Sequence, residues 1–263
     1  MTTQKTTLAV ALIVKNEARM LAACLDSVKN IADEIIILDS GSTDETEAIA
    51  RRYTDKFYVN QEWPGFGRQR QIAQQYVTAD WLLWIDADEQ LTPELAASLR
   101  EVLANPPENT IFEVARLSWA FGQFIHHSGW YPGYVERFYP TTLTRFDDAL
   151  VHENVIIPGR AKVKQLKGDM LHYTYNNLHE YLVKSANYAE AWAEQRFRKG
   201  KKNSLASVMM HTVSRFFRTY FIKRGFLDGK AGLLLAVLSV QSVFNKHAIL
   251  WLKNREKKKE NTP

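Results

Sequence analysis

Four apolar runs, each followed by a stretch of helical spacing, fill residues 8–104 and constrain the fold more than any other feature of the chain. Leu8-Ala-Val-Ala-Leu-Ile-Val14 offers no polar position at which one face could meet water, so it fits a strand covered on both sides, as parallel sheets require. Residues 17–30 then repeat apolar side chains at Met20, Leu21, Leu25 and Val28, the period of a helix. Glu34-Ile-Ile-Ile-Leu-Asp39 reads as the second strand and residues 43–53 as the next helix, capped by Ser42 or Thr43. A short strand at 56–59 leads to Trp63-Pro-Gly-Phe-Gly67, a loop by its glycines and proline. Residues 68–77 read as helix, 81–85 as strand, and 93–104 as helix with Thr92 capping and Pro93 at the first position. Strand and helix alternate four times, which predicts an α/β fold built on a mostly parallel central sheet.

The texture changes twice after that. Residues 111–175 are short β-rich stretches with many aromatics and turn residues at Gly129, Pro132, Gly133, Pro140 and Pro158-Gly159, a mixed extension of the sheet with long loops suited to a second substrate. Residues 178–253 are helical in pattern, and from Arg196 onward sixteen Lys and Arg face three acids, leaving the remainder of a chain of net charge +5 acidic. Leu205, Val208, Met209, Thr212, Val213, Phe216, Phe217, Tyr220 and Phe221 recur at i, i+3 and i+4. The apolar run from Ala231 to Phe244 is shorter than the roughly 20 residues of a spanning helix and is broken by Gln241, so an interfacial anchor on anionic lipid is expected rather than a span. A nucleic-acid role fits less well, because single-strand binders display their aromatics on a sheet or groove and not at helical spacing. The single cysteine, Cys24, cannot close an intramolecular disulfide, and no basic then apolar leader opens the sequence; a reducing, cytoplasmic setting is expected, with Cys24 in the core.

The chemistry concentrates at strand ends. In Trp81-Leu-Leu-Trp-Ile-Asp-Ala-Asp-Glu89 an apolar strand delivers Asp86 and Asp88 to its carboxyl end, the edge where open α/β sheets bind ligands, and strand alternation sends both the same way. Mg²⁺ or Mn²⁺ held by one or two carboxylates, with water and a diphosphate completing the shell, uses that arrangement; a solvated loop acid followed by a helix cap is the competing reading. Val14-Lys-Asn-Glu17 places polar groups directly after another buried strand. In Leu38-Asp-Ser-Gly-Ser-Thr-Asp44, Asp39 ends a strand and Gly41 permits a tight turn, and a carboxylate there can accept from a base N–H or from ribose hydroxyls. Arg70 enters the same edge and can face a diphosphate. Neither a Gly-X-Gly-X-X-Gly run nor a Gly-Lys-Ser/Thr loop is present, so a dinucleotide cofactor or ATP fits poorly.

Taken together, Val14-Lys-Asn-Glu17, Asp39-Ser-Gly-Ser-Thr-Asp44 and Asp86-Ala-Asp88 resemble the family 2 glycosyltransferases of GT-A fold. Trp63-Pro-Gly-Phe-Gly67, Val151-His-Glu153, His172-Tyr-Thr-Tyr175 and Gly225-Phe-Leu-Asp-Gly229 resemble, within them, the lipopolysaccharide inner-core β-1,4-glucosyltransferase group, over nearly the whole chain; Gln71 departs from the asparagine expected after the arginine. The resemblance implies a GT-A domain at 1–177, with a donor-binding half at 1–110 and an acceptor half at 111–177, followed by a helical, basic, amphipathic, membrane-associating extension at 178–263. It implies a nucleotide-sugar donor, UDP-glucose in this group, a lipopolysaccharide-core heptose as acceptor, inversion to a β linkage, and a peripheral place on the cytoplasmic face of the inner membrane. Lys15, Asn16, Glu17 and Asp39 would grip the nucleoside and Arg70 the diphosphate side. Asp88 would hold Mn²⁺ or Mg²⁺, Asp86 the ribose or metal shell, and His172 would be a further metal ligand. An inverting transfer needs one base, here Glu153, with His152 beside it and Asp147 and Asp148 further off; an ion pair of Glu153 with Arg137 or Arg145 is the rival reading. His126, His127, Trp130 and Tyr131 suit an acceptor wall or ordinary packing. Competing classes are a related transferase using another nucleotide sugar or a polyprenyl-phosphate acceptor, a nucleotidyltransferase, and a non-catalytic nucleotide-sugar-binding module.

Overall fold

A computed structural model describes residues 5–150, 153–175 and 177–260. Strand β1, Leu8–Val14, is buried nearly throughout and sends alternate side chains into two different cores: Leu8, Val10, Leu12 and Val14 pack on one side, Ala9 and Ala11 on the other. Helix α1, Leu21–Val28, covers the first side with Leu21, Cys24, Leu25 and Val28. Strand β2, Glu34–Asp39, divides likewise, Ile35 and Ile37 against Ile36 and Leu38. Each fully buried Leu or Ile contributes about 2 kcal/mol, so the unbroken apolar runs act as two-sided anchors of the fold. Helix α2 is Thr46–Ala50, strand β3 Phe57–Val59, helix α3 Phe66–Gln74 and strand β4 Trp81–Trp84. Strand β5, Glu89–Leu91, precedes helix α4, Pro93–Ala104, which starts as its sequence demands: Thr92 Oγ1 accepts from Leu95 N and Pro93 takes the first position.

Strands β6 (Thr110–Ala120), β7 (Gln123–Phe124), β8 (Gly133–Pro140) and β9 (Lys162–Tyr175) complete a nine-stranded sheet in the order β3-β2-β1-β4-β8-β6-β9-β5, with β7 on β6. The pairs β3-β2, β2-β1 and β1-β4 are parallel, whereas β8 runs antiparallel to both β4 and β6. From β1 the chain steps to β2 and β3 on one side and then to β4 on the other, so the carboxyl ends of β1 and β4 flank a topological switch point, where α/β sheets bind ligands.

Helix α2 is shorter than residues 43–53, and neither Ser42 nor Thr43 caps it. Asp44 Oδ1 accepts from Thr46 N, while Thr43 N donates to Asn16 Oδ1 and Ser42 Oγ accepts from Asn16 N, which draws both residues toward the end of β1. Helix α3 begins earlier than residue 68, because Phe66 N and Gly67 N find carbonyl partners outside the helix at Leu150 and Ala149.

By contacts the chain forms two compact units, residues 1–117 with 133–172 and residues 118–132 with 173–263. The second contains helices α5 (Leu178–Arg198), α6 (Leu205–Phe217) and α7 (Gly229–Glu260), α5 and α6 being capped by Asn177 and Ser204. Between α6 and α7 lie a π turn, Arg218–Ile222, and a 3₁₀ turn, Gly225–Asp228. Asp228 is buried and accepts from the backbone N–H groups of His126 and His127 and from Ser128 Oγ, which fastens 126–128 to this helical unit. Gly225–Lys257 is long and apolar enough to cross a membrane by length and composition, with 28% of its most apolar stretch buried. The apolar run thus extends past Phe244 on an unbroken helix, beyond the limit set by reading Ala231 to Phe244 alone.

Candidate active site

The strand ends bring the acids together. Asp86 and Asp88 follow β4, and Glu17 follows β1 close enough that Asp88 and Asp86 act on its charge. Burial first, then those two like charges, pushes the Glu17 carboxyl up to about 7. Asn16 takes a left-handed conformation (φ 56°) that lets its side chain accept from Thr43 N, joining the loops after β1 and β2. Lys15 is exposed. Asp39 is buried, and its oxygens accept from Gly41 N, Ser42 N and Ser42 Oγ; it organises its own turn.

Strand pairing supplies His172. Strands β5 and β9 run antiparallel with Glu89 opposite His172, and His172 Nε2 comes within 3.4 Å of Asp88 Oδ2. An imidazole nitrogen and a carboxylate oxygen at this separation can share one divalent ion, and a hard cation that keeps water and phosphate oxygens needs few protein ligands. The donor set therefore fits a Mn²⁺ or Mg²⁺ site of two protein ligands. Among the described residues no group of three His, Cys, Asp or Glu stands ready for a metal.

Asp86 is engaged differently from Asp88. Its Oδ1 accepts from Arg70 Nη2 at 2.6 Å and its Oδ2 from Arg137 Nη2 at 2.8 Å. Burial would raise its pKa, but Arg137 and Arg70 outweigh that and hold the carboxyl far below the usual carboxylate range. Glu89, fully buried, accepts from Asp86 N and lies 3.4 Å from Arg116; burial and the neighbouring Asp86 charge push its carboxyl up. Arg70 also donates from Nε to Glu153 Oε1 at 3.0 Å, and its guanidinium lies over Trp84 and Phe146, 5.2 and 5.0 Å from their ring centres. Burial favours loss of its proton, yet Asp86 and Glu153 together raise its pKa. Arg70 Nη1 and Arg137 Nε are buried without a hydrogen-bond partner among the described residues.

The loop carrying Glu153 is fixed to α3. A Cβ added to Gly67 would lie 2.1 Å from the Asp147 carbonyl oxygen, so only glycine permits the approach at which Gly67 N donates to Ala149 O. One turn on, Gln71 Nε2 donates to the Phe146 carbonyl and to Asp148 Oδ1, which explains glutamine where asparagine was expected: the longer side chain reaches two partners. Asp147 accepts from Ala149 N and Asn154 N, so Asp147 and Asp148 brace the loop. The ion pair expected as the rival role of Glu153 exists, with Arg70 rather than Arg137 or Arg145. His152 lies outside the described residues.

Sequence reasoning did not single out Glu89 as a functional group, and it named Arg137 only as a partner for Glu153. The signal for Glu89 was its position directly after Asp88; for Arg137 none existed, because its place depends on β8 pairing with β4. Cys24 is buried in the core, as expected.

The glycosyl transferase family 2 model matches residues 9–158. An uncharacterized glycosyltransferase of Rickettsia felis is 30% identical over 233 residues, covering 85% of this chain and 82% of that protein. The lipopolysaccharide core biosynthesis glycosyltransferase LpsC of Rhizobium meliloti is 29% identical over 262 residues, 93% of this chain and 94% of its own. Among solved structures, glucosyl-3-phosphoglycerate synthase of Mycobacterium tuberculosis with Mn²⁺ and UDP-glucose aligns at 25% identity and a TM-score of 0.34, over 43% of either chain. The aligned part is under half of that enzyme's length.

Proposed function

The chain belongs to glycosyl transferase family 2, and from that premise we propose that it transfers glucose from UDP-glucose, with inversion, to a heptose of the lipopolysaccharide inner core. The observation that carries this reading is the Arg70 bridge, which sets an acceptor-side acid, Glu153, beside the strand-end acids of a nucleotide-sugar site. The likeness to LpsC over 93% of the chain supports a lipopolysaccharide-core acceptor.

Glu153 takes the proton of the acceptor hydroxyl as that oxygen attacks the anomeric carbon from the face opposite the diphosphate. The new bond joins the acceptor oxygen to the anomeric carbon, and the bond to the diphosphate oxygen breaks with its electron pair leaving on UDP. Asp88 and His172 would hold Mn²⁺ or Mg²⁺, which when bound would offset charge on the diphosphate. Arg70, buried between Asp86 and Glu153, adds positive charge on the same side through its field and not by contact, and Asp86 is held rigid by Arg70 and Arg137 toward the ribose or the metal shell. Lys15, Asn16, Glu17 and Asp39 form the nucleoside side, Asp39 through the turn it organises.

Peripheral binding at an anionic membrane surface, taken here as the cytoplasm-facing one, draws its support from the exposed apolar stripe of the helical unit. Leu205, Met209, Val213, Phe217 and Phe221, each four residues from the next, are between 49% and 55% exposed, whereas Val208 and Thr212 are buried. The apolar stripe thus faces outward, and Arg215, Arg218 and Lys223 supply charge for anionic headgroups.

The test is a transfer assay with UDP-glucose, Mn²⁺ and heptose-terminated lipopolysaccharide core. One added hexose in the product and release of UDP are expected. Release of pyrophosphate, or no transfer to any core acceptor, would overturn the reading. Flotation with anionic liposomes, with and without residues 204–263, tests the membrane arm; equal recovery of both forms would refute it.

A further inference from the structure

Within the helical unit lies a cavity of about 620 Å³, lined by Phe197, Gly200, Lys202, Asn203, Trp251 and Arg255 among others. Its shape follows from how α5 ends. Gly200, with φ 68°, caps the helix in a left-handed conformation: Gly200 N bonds the Phe197 carbonyl and Lys201 N the Arg196 carbonyl. The chain then turns so that Lys202 and Asn203 form one wall, and Asn254 Nδ2 on α7 fixes that turn by donating to the Lys201 carbonyl.

Lys202, Arg255 and Lys257 belong to the lining, and among the described residues no carboxylate does. Two of these cations sit against the aromatic walls, Arg255 5.6 Å from the Trp251 ring centre and Lys257 5.5 Å from that of Phe197. Such pairing holds long side chains at the cavity. The acids nearby on α5, Glu190 and Glu194, pair with Lys253 instead, and Glu256 lines a separate, smaller hollow with Phe197, Lys253 and Lys257. The cavity lies in the size range of small-molecule sites, and basic side chains beside two aromatic rings match an anion attached to an apolar or ring-bearing body.

We propose that this cavity binds a phosphoryl group carried on a small amphiphile, Lys202 and Arg255 taking the phosphoryl oxygens and Phe197 and Trp251 the apolar portion. The site shares no residue with the strand-end acids and does not rest on their role.

The test uses the full-length protein and dihexanoyl phosphatidic acid below its micelle concentration, so that no membrane surface contributes, with Trp251 emission and calorimetry as readouts. Saturable binding of one molecule per chain is expected, weakened at least about tenfold in the Lys202→Ala/Arg255→Ala variant, with the emission change lost in Trp251→Phe. UDP binding, measured in parallel, stays unchanged in these variants. Competing inorganic phosphate separates two sources of the same chemistry: displacement at comparable concentration assigns the site to the free anion, and retention of the lipid assigns it to a headgroup. Equal affinity for zwitterionic dihexanoyl phosphatidylcholine, unaltered affinity in the double variant at an unchanged melting temperature, or no saturable binding would each overturn the proposal.

Discussion

Arg70 donates from Nε to Glu153 Oε1 at 3.0 Å while almost wholly enclosed by protein. A guanidinium so placed cannot be exchanged for a neutral side chain without stranding the acids on either side of it, Asp86 and Glu153. Arg70→Met is therefore expected to lose about 3–5 kcal/mol of folding stability. Arg70→Lys should lose part of that, because an ammonium cannot span both acids in a plane. Denaturant unfolding checks both; a Met variant as stable as the parent would show that the bridge contributes nothing.

Glu153→Gln keeps the shape of the side chain and removes its ability to take a proton. Turnover is expected to fall by about 10²–10⁴-fold while UDP affinity changes by less than about twofold. Single-turnover kinetics and UDP calorimetry separate the two quantities. Retention of the parent rate would move the base to another residue.

Asp88, in the turn between β4 and β5, and His172, on β9, approach to 3.4 Å. Asp88→Ala and His172→Ala should each weaken Mn²⁺-dependent UDP binding by at least about tenfold. Neither should alter the weaker binding measured with EDTA. UDP affinity that ignores Mn²⁺ in the parent protein would remove the metal from the site.

The Glu17 carboxyl, pushed up to about 7 from an ordinary 4.5, holds its proton more tightly folded than unfolded. Its contribution to stability is therefore full below 4.5 and is lost as the pH rises through about 7. Without metal or nucleotide, the melting temperature of the parent should fall across that window relative to Glu17→Gln. UDP affinity should move in the opposite sense, since the ionised carboxylate is the stronger acceptor for a base N–H. Melting curves at a series of pH values decide the first point, and identical profiles for parent and variant would contradict it.

How far the sequence carried the fold depended on whether neighbours were needed to interpret it. Strands β1, β2 and β4 were legible because their runs have no polar face, and α4 because Thr92 and Pro93 mark its start locally. The limits of α2 were not, because Ser42 and Thr43 bond across to Asn16, a partner on another loop. The acids at the carboxyl ends of β1, β2 and β4 could be read as one edge from chain order alone. Arg137 and the meeting of His172 with Asp88 depend on antiparallel register, which periodicity does not encode. The apolar spacing of α6 was correct, but which way its stripe faces is a tertiary fact.

The glycine and glutamine of α3 that seat the 146–150 loop have a consequence for exchange between relatives. The loop bearing Glu153 is registered by a helix from far earlier in the sequence, so acceptor preference is not a cassette that begins at residue 111. A chimera that imports residues 111–177 from a relative with asparagine in place of Gln71, while keeping this α3, would join two halves cut to different lengths. Transplanting specificity therefore calls for moving Trp63 to Gln74 together with the loop it holds.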